Sequence, residues 1–128
     1  MSLAVHHIAV LVADLARAER FYVDVLGCEV ERRWDDDRGA PRSVWVSLGN
    51  GAFLALELCS TPSPARRSDA PGWHCVALGI APSDRATWRG RLREHGVTLE
   101  RESAFTLYFR DPDENLVGLS HWPEPVAI

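Results

Sequence analysis

The stretch His7-Ile8-Ala9-Val10-Leu11-Val12, followed by Asp14-Leu15 and closed by Leu26-Gly27, reads as a strand, a helix cap and a helix stop. The same order returns in His74-Cys75-Val76-Ala77, a cap at Ser83 or Asp84, and a stop at Gly96, and this recurrence decides the fold. The first strand run extends from Val5 to Val12. Behind it Leu15, Ala18, Phe21, Tyr22, Val25 and Leu26 fall at three-to-four spacing, which gives a helix one apolar stripe. Three strand candidates follow, Cys28 to Trp34, Arg42 to Leu48 and Ala52 to Leu58. The turn-rich Asp35-Asp36-Asp37-Arg38-Gly39 and Gly49-Asn50-Gly51 separate them and predict antiparallel hairpins. After a Pro- and Ser-rich break, a run from Trp73 to Ile80 leads into a helix carrying Ala86, Trp88 and Leu92. Three further strands are expected over Val97 to Glu102, Ala104 to Arg110 and Leu116 to His121. The expectation is an α+β fold of two βαβββ repeats forming a cupped mixed sheet. It is one domain over residues 1–128, with repeat one at 5–58, a linker at 60–72 and repeat two at 73–121.

At 128 residues the chain can bury one adequate core. A net charge of -4 argues against binding a nucleic-acid backbone, which needs clustered cations. All 14 basic residues are Arg, so without lysine neither Schiff-base chemistry nor a P-loop phosphate clamp is available. No basic leader or long apolar run is present, so the reading is cytoplasmic, with no membrane partner. Cys28, Cys59 and Cys75 lack paired spacing and read as reduced packing thiols.

Helices must cover one face of each sheet, and strand side chains alternate, so parity sorts the faces. In the first repeat Ile8, Val10, Val44, Val46, Leu54 and Leu56 go to the helix side, which leaves His7, Ser43, Trp45, Ser47, Phe53 and Glu57 opposite. The same reading of the second repeat puts His74, Tyr108, Arg110, Gly118 and Ser120 on the opposite face and His121 on the helix side; in the first repeat parity also sends His6 to the helix side. His7, Glu57 and His74 thus form a candidate metal set, because two neutral imidazoles and a carboxylate suit Zn, Ni, Fe or Mn while leaving coordination positions open. Trp45, Phe53, Tyr108, Arg110, Gly118 and Ser120 are the candidate substrate pocket, an apolar wall with a few polar groups. The aromatic members would serve equally as a dimer seam. Asp35-Asp36-Asp37 reads as a solvated hairpin tip, and its spacing does not suit calcium.

These residues resemble the vicinal oxygen chelate superfamily, which includes glyoxalase I, extradiol dioxygenases, fosfomycin resistance enzymes and bleomycin resistance proteins. Its carriers are His7-Ile8-Ala9-Val10, Phe21-Tyr22 before Val25-Leu26-Gly27, Ala55-Leu56-Glu57-Leu58, His74-Cys75-Val76-Ala77, and Tyr108-Phe109-Arg110-Asp111-Pro112-Asp113-Glu114-Asn115. The resemblance implies a homodimer with a divalent metal on the inner face of each cup, acting on a small-molecule substrate or sequestering a drug. His7, Glu57 and His74 match three of four glyoxalase ligands; the fourth, a glutamate, is Gly118 here. Ordinary glyoxalase I activity is therefore not expected, and proton transfer would fall to water, to the substrate or to Tyr108. Glu114 replaces the glycine usual in the family turn, which would leave it or Asn115 in a strained conformation. The resulting expectation is a metal-dependent lyase, isomerase or dioxygenase. The alternative is a non-catalytic antibiotic- or aromatic-ligand-binding protein.

Overall fold

The computed structural model describes residues 1–61 and 71–126. Most of the linker expected at 60–72 lies outside the described residues. The chain divides into two compact units, Met1–Pro64 and Ala65–Ile128.

The first unit runs β1 (His7–Val12), α1 (Leu15–Arg20), a wider π-helical turn (Phe21–Val25), β2 (Val30–Asp35), β3 (Pro41–Gly49) and β4 (Ala52–Leu58). Its sheet has the order β1-β4-β3-β2, with β1 parallel to β4 and the other neighbours antiparallel. Asp14 caps α1 as expected: its Oδ1 accepts the Arg17 amide at 2.9 Å. Gly27, at φ 75°, ends the helix in the left-handed conformation that glycine adopts at little steric cost. The Cys28 amide then reaches back to the Tyr22 carbonyl at 2.9 Å. Helix α1 packs on β3 and β4. Val44, Val46, Leu54 and Leu56, with Leu15, Ala18 and Tyr22, are buried there, and each full aliphatic burial contributes roughly 1.5–3 kcal/mol. At the β2–β3 hairpin, Asp36 Oδ1 accepts the Arg38 and Ala40 amides, so the acidic tip is ordered by one of its own carboxylates.

The second unit runs β5 (Val76–Gly79), a single 3₁₀ turn (Pro82–Asp84), α2 (Arg85–Glu94), β6 (Arg101–Glu102), β7 (Thr106–Arg110) and β8 (Leu116–Ser120). The order β5-β8-β7-β6 repeats the topology of the first sheet. Several boundaries differ from expectation: β6 covers only Arg101–Glu102, four residues short of the expected start at Val97, β7 starts two residues late and β8 ends one residue early. Strand β5 begins only at Val76, so Trp73 and His74 precede it. Asp84 makes no side-chain cap to α2; Pro82, lacking an amide hydrogen, starts the 3₁₀ turn instead, and the Asp84 amide donates to Ala81 at 3.0 Å. Leu107, Phe109, Val117, Leu119 and Leu92 are buried in this unit.

The β7–β8 turn is organised by buried Asp111, whose Oδ1 accepts the amides of Asp113 and Asn115, both at 2.9 Å. Asp111 Oδ2 accepts from the Asn115 side chain at 3.0 Å. Glu114 takes the strained position, at φ 66°. Glu114→Gly is expected to stabilise the protein by about 0.5–1 kcal/mol. A rise in urea midpoint at unchanged m-value checks it; an unchanged or lower midpoint refutes it.

Candidate functional site

Strand register builds the face of the first sheet turned away from α1. Across the sheet, Trp34 pairs with Ser43, Ser43 with Glu57, and Glu57 with Leu11. The next row is Arg32, Trp45, Ala55 and Ala9, and the row after it is Ser47, Phe53 and His7. His7 and Glu57 therefore share a face, four positions apart on adjacent parallel strands, roughly 13 Å along the strand direction.

The rings of this face stack. His7 lies on Phe53 at 4.8 Å between centroids and 7° between planes, and Phe53 lies on Trp45 at 4.4 Å and 22°. Trp34 tilts against Trp45 at 5.4 Å, with the Arg32 guanidinium 3.8 Å above the Trp34 ring. His6 corrects its assignment by parity. It precedes β1, so strand alternation does not govern it, and its Nδ1 lies 2.8 Å from His7 Nδ1 with its ring 5.7 Å from that of Phe53. One imidazole donates and the other accepts, which engages the Nδ1 of His7 and leaves its Nε2 for another partner. Glu57 is half-buried, and no hydrogen bond or ion pair engages it among the described residues. Three polar atoms of this face, Trp34 Nε1, Ser43 Oγ and Trp45 Nε1, are buried and unpartnered among the described residues.

In the second unit, Arg101, Tyr108, Gly118 and Ala77 form one row on the face that also carries Ser120. A Cβ at Gly118 would lie 3.0 Å from Thr106 Cγ2 and 3.4 Å from Tyr108 Cε1, so these two side chains fill the space over the glycine. The Arg101 guanidinium sits 3.9 Å from the Tyr108 ring centroid. Ser120 Oγ accepts from Thr106 Oγ1 at 2.9 Å. Arg110 is committed to Glu100, donating from Nε at 2.7 Å and Nη2 at 3.0 Å, and to the Glu114 carbonyl at 3.0 Å. His74 is exposed and outside the strand.

The registers also show that the sequence overlay of the repeats is one residue out of phase at the strand start. Glu57 pairs with Leu11, but its counterpart Gly118 pairs with Ala77, not Leu78. Continued alternation from Ala77 would place His74 with Val76 on the helix side; because β5 starts after it, alternation does not decide where His74 points. Among the described residues no three His, Cys, Asp or Glu side chains converge to hold an ion within this chain.

His121 is only 4% exposed. Its Nε2 lies 3.0 Å from Arg85 Nη1. Arginine only donates, so Nε2 accepts and Nδ1 carries the hydrogen given to the Glu124 carbonyl. Arg85 also donates to the Ser103 carbonyl at 2.8 Å and to Glu102 at 3.3 Å. This network joins the start of α2 to the β6–β7 turn. The hydrogen bonds from Arg89 first, then Arg85, hold the Glu102 carboxyl down at about 2 against 4.5. A lowered folded-state pKa stabilises above the unfolded value, and that contribution is lost as pH falls from about 4.5 towards about 2. Glu102→Gln should therefore lose less melting temperature across that window than the parent, measured by circular dichroism. Parallel acid profiles would contradict the linkage.

The sequence had pointed to His7, Glu57, Trp45 and Phe53 in the first unit and to His74, Tyr108, Arg110, Gly118 and Ser120 in the second, of which His74 lies outside the strand and Arg110 is engaged by Glu100. It missed His6, Trp34 and Arg101. Trp34 was reachable by carrying alternation across the β2–β3 hairpin; His6 and Arg101 had no comparable signal.

Among the described residues no helix is long and apolar enough to cross a membrane. A family model described as Glyoxalase/Bleomycin resistance protein/Dioxygenase superfamily matches residues 4–119. Uncharacterized protein YwkD of Bacillus subtilis is 31% identical over 122 residues, covering 87% of this chain and 91% of that protein. Mouse mitochondrial methylmalonyl-CoA epimerase is 33% identical over 79 residues, 59% of this chain but 44% of the epimerase. In structure, a variant of the fosfomycin resistance protein FosX of Listeria monocytogenes, complexed with Mn(II) and a dihydroxypropylphosphonic acid, superposes at TM-score 0.70 and 18% identity, covering 94% of this chain and 90% of that one. With the repeated topology and the family match spanning nearly its whole length, the chain belongs to the Glyoxalase/Bleomycin resistance protein/Dioxygenase superfamily.

Proposed function

We propose that the protein is a divalent-metal-dependent enzyme of the lyase, isomerase or dioxygenase type, working as a homodimer on a small substrate that chelates the ion through neighbouring oxygens. The observation that carries this reading is Glu57, a half-buried carboxylate with neither hydrogen bond nor ion pair among the described residues, on the same face as His7. Sequestering a carboxylate from water is costly unless positive charge meets it. The nitrogen and oxygen donors of His7, Glu57 and His74 are of the kind that Zn, Ni, Fe or Mn take, and the Mn(II) in the FosX structure supports the assignment; with His7 and Glu57 roughly 13 Å apart along the strands, both would have to lean over Ala9 and Ala55 to meet one ion. When bound, the ion would supply Lewis-acid polarisation of the substrate oxygens. His6 would orient the His7 ring through their shared Nδ1 contact. Phe53 and Trp45 would form the apolar wall that excludes water. With Gly118 in place of a carboxylate, Tyr108 would be the side chain for proton transfer on the second unit's face.

The test is metal analysis of protein loaded anaerobically with Zn, Ni, Mn or Fe. Stoichiometric retention of one of them is expected, and failure to retain any would end the reading. A second reading, a non-catalytic protein that binds an antibiotic or aromatic ligand, is favoured by the Tyr108 ring packed over Gly118. Drug binding that quenches tryptophan fluorescence and ignores both chelator and His7→Ala would select it.

A further inference from the structure

The unpartnered polar atoms of the first unit are not scattered. Trp34 and Ser43 are direct cross-strand partners, and Trp45 is the next residue along β3 on the same face. Ser43 is 1% exposed, and neither its hydroxyl nor either indole N–H has a partner among the described residues. On the other face of β3 and of its neighbour β4, the buried side chains Val44, Val46, Leu54 and Leu56 are all apolar. Burying donors without acceptors costs stability, and folded proteins keep such groups few. Clustering them on one face beside a ring stack is what a ligand subsite requires.

The donor inventory limits what the ligand presents. An indole N–H can only donate, and a serine hydroxyl can donate as well. A neutral carbonyl has two lone pairs and would leave one donor unmet. A carboxylate has about four acceptor sites and no hydrogen to place. The Arg32 guanidinium over Trp34 adds positive charge at this end. Glu57, the other cross-strand partner of Ser43, adds the opposing charge. The rings surrounding the donors favour a flat body that can stack.

We propose that this face binds a planar, conjugated carboxylic acid, whose carboxylate takes the N–H groups of Trp34 and Trp45 and the hydroxyl of Ser43 while its flat body displaces and re-stacks against the Trp45–Phe53 pair. These donors are buried in the structure, so binding would have to open the stack beside them. The inference rests on the proposed function only in taking this face as the substrate's. It names the substrate class of that face.

The test compares benzoate and cinnamate with benzamide and cinnamamide, by calorimetry and tryptophan fluorescence, on Mn(II)-loaded and on chelator-treated protein. Each carboxylate should bind at least about tenfold tighter than its amide in the parent protein, a difference of about 1.4 kcal/mol. Ser43→Ala, Trp34→Phe and Trp45→Phe should each shrink that ratio at least about threefold while the amides bind as before. Because Ser43→Ala removes an unsatisfied group, its ligand-free melting temperature should equal or exceed the parent's, whereas a hydroxyl with a purely structural role would lower it. Equal binding of acid and amide, no binding of either, or a preference that Ser43→Ala leaves intact overturns the proposal. A preference abolished by chelation but untouched by Ser43→Ala overturns it too, by assigning the carboxylate to the ion. Carboxylate preference in a protein that retains no metal would sink the metal reading and leave this one standing; metal retention without preference would do the reverse.

Discussion

Replacing His7 with alanine should lower divalent-metal affinity by about 100-fold or more, measured by calorimetry or by competition with a chromogenic chelator. The expectation follows from how firmly the ring is held. Phe53 fixes its plane by near-parallel stacking, and His6 engages its Nδ1, so Nε2 is the nitrogen left to coordinate. His6→Ala should cost less, roughly 10-fold, because it removes only the group that orients the ligand. Parent-like affinity in His7→Ala would remove His7 from the ligand set and with it the proposed enzyme. Equal losses in both variants would instead make the two histidines joint ligands.

The second large effect concerns the missing carboxylate. Gly118→Glu alone should destabilise the metal-free protein by about 1–3 kcal/mol, since the added side chain overpacks a filled space. Its Cβ would meet Thr106 Cγ2 at 3.0 Å, and Tyr108 gives little room on the other side. Thr106→Ser removes that methyl while keeping the hydroxyl bonded to Ser120, so the double variant should recover much of the loss. The new buried carboxylate would still lack a partner until an ion arrives. Added Zn or Ni should therefore raise the double variant's melting temperature by more than it raises the parent's, with affinity gained by about tenfold. A double variant that folds normally but gains no metal response would show that residue 118 does not face the ion.

Much of the fold was legible because the code for it is local. Asp14 as a cap, Gly27 and Gly96 as stops, and the hairpin turns depend on neighbours within a few residues, and alternation along β3 and β4 assigns faces without knowledge of the partner strand. The strained turn residue was narrowed to Glu114 or Asn115, and Glu114 carries it because the Asp111 carboxylate pins the Asn115 amide and side chain. Where the reading strayed, at His6 and around His74, the residues lie just outside regular strands, and a period-two rule has no hold there.

The sequence by itself therefore determined the duplicated βαβββ plan, the family, and the face of the first sheet on which His7, Glu57, Trp45 and Phe53 stand. Only the tertiary structure decided how those side chains meet: that His6 holds His7, that Trp34 joins Ser43 and Trp45 with unpartnered donors, and that Tyr108 and Thr106 occupy the space over Gly118. The reason is physical. Periodicity tells which way a residue points, but ring stacking, hydrogen-bond satisfaction and the volume left over a glycine depend on cross-strand neighbours distant in the chain.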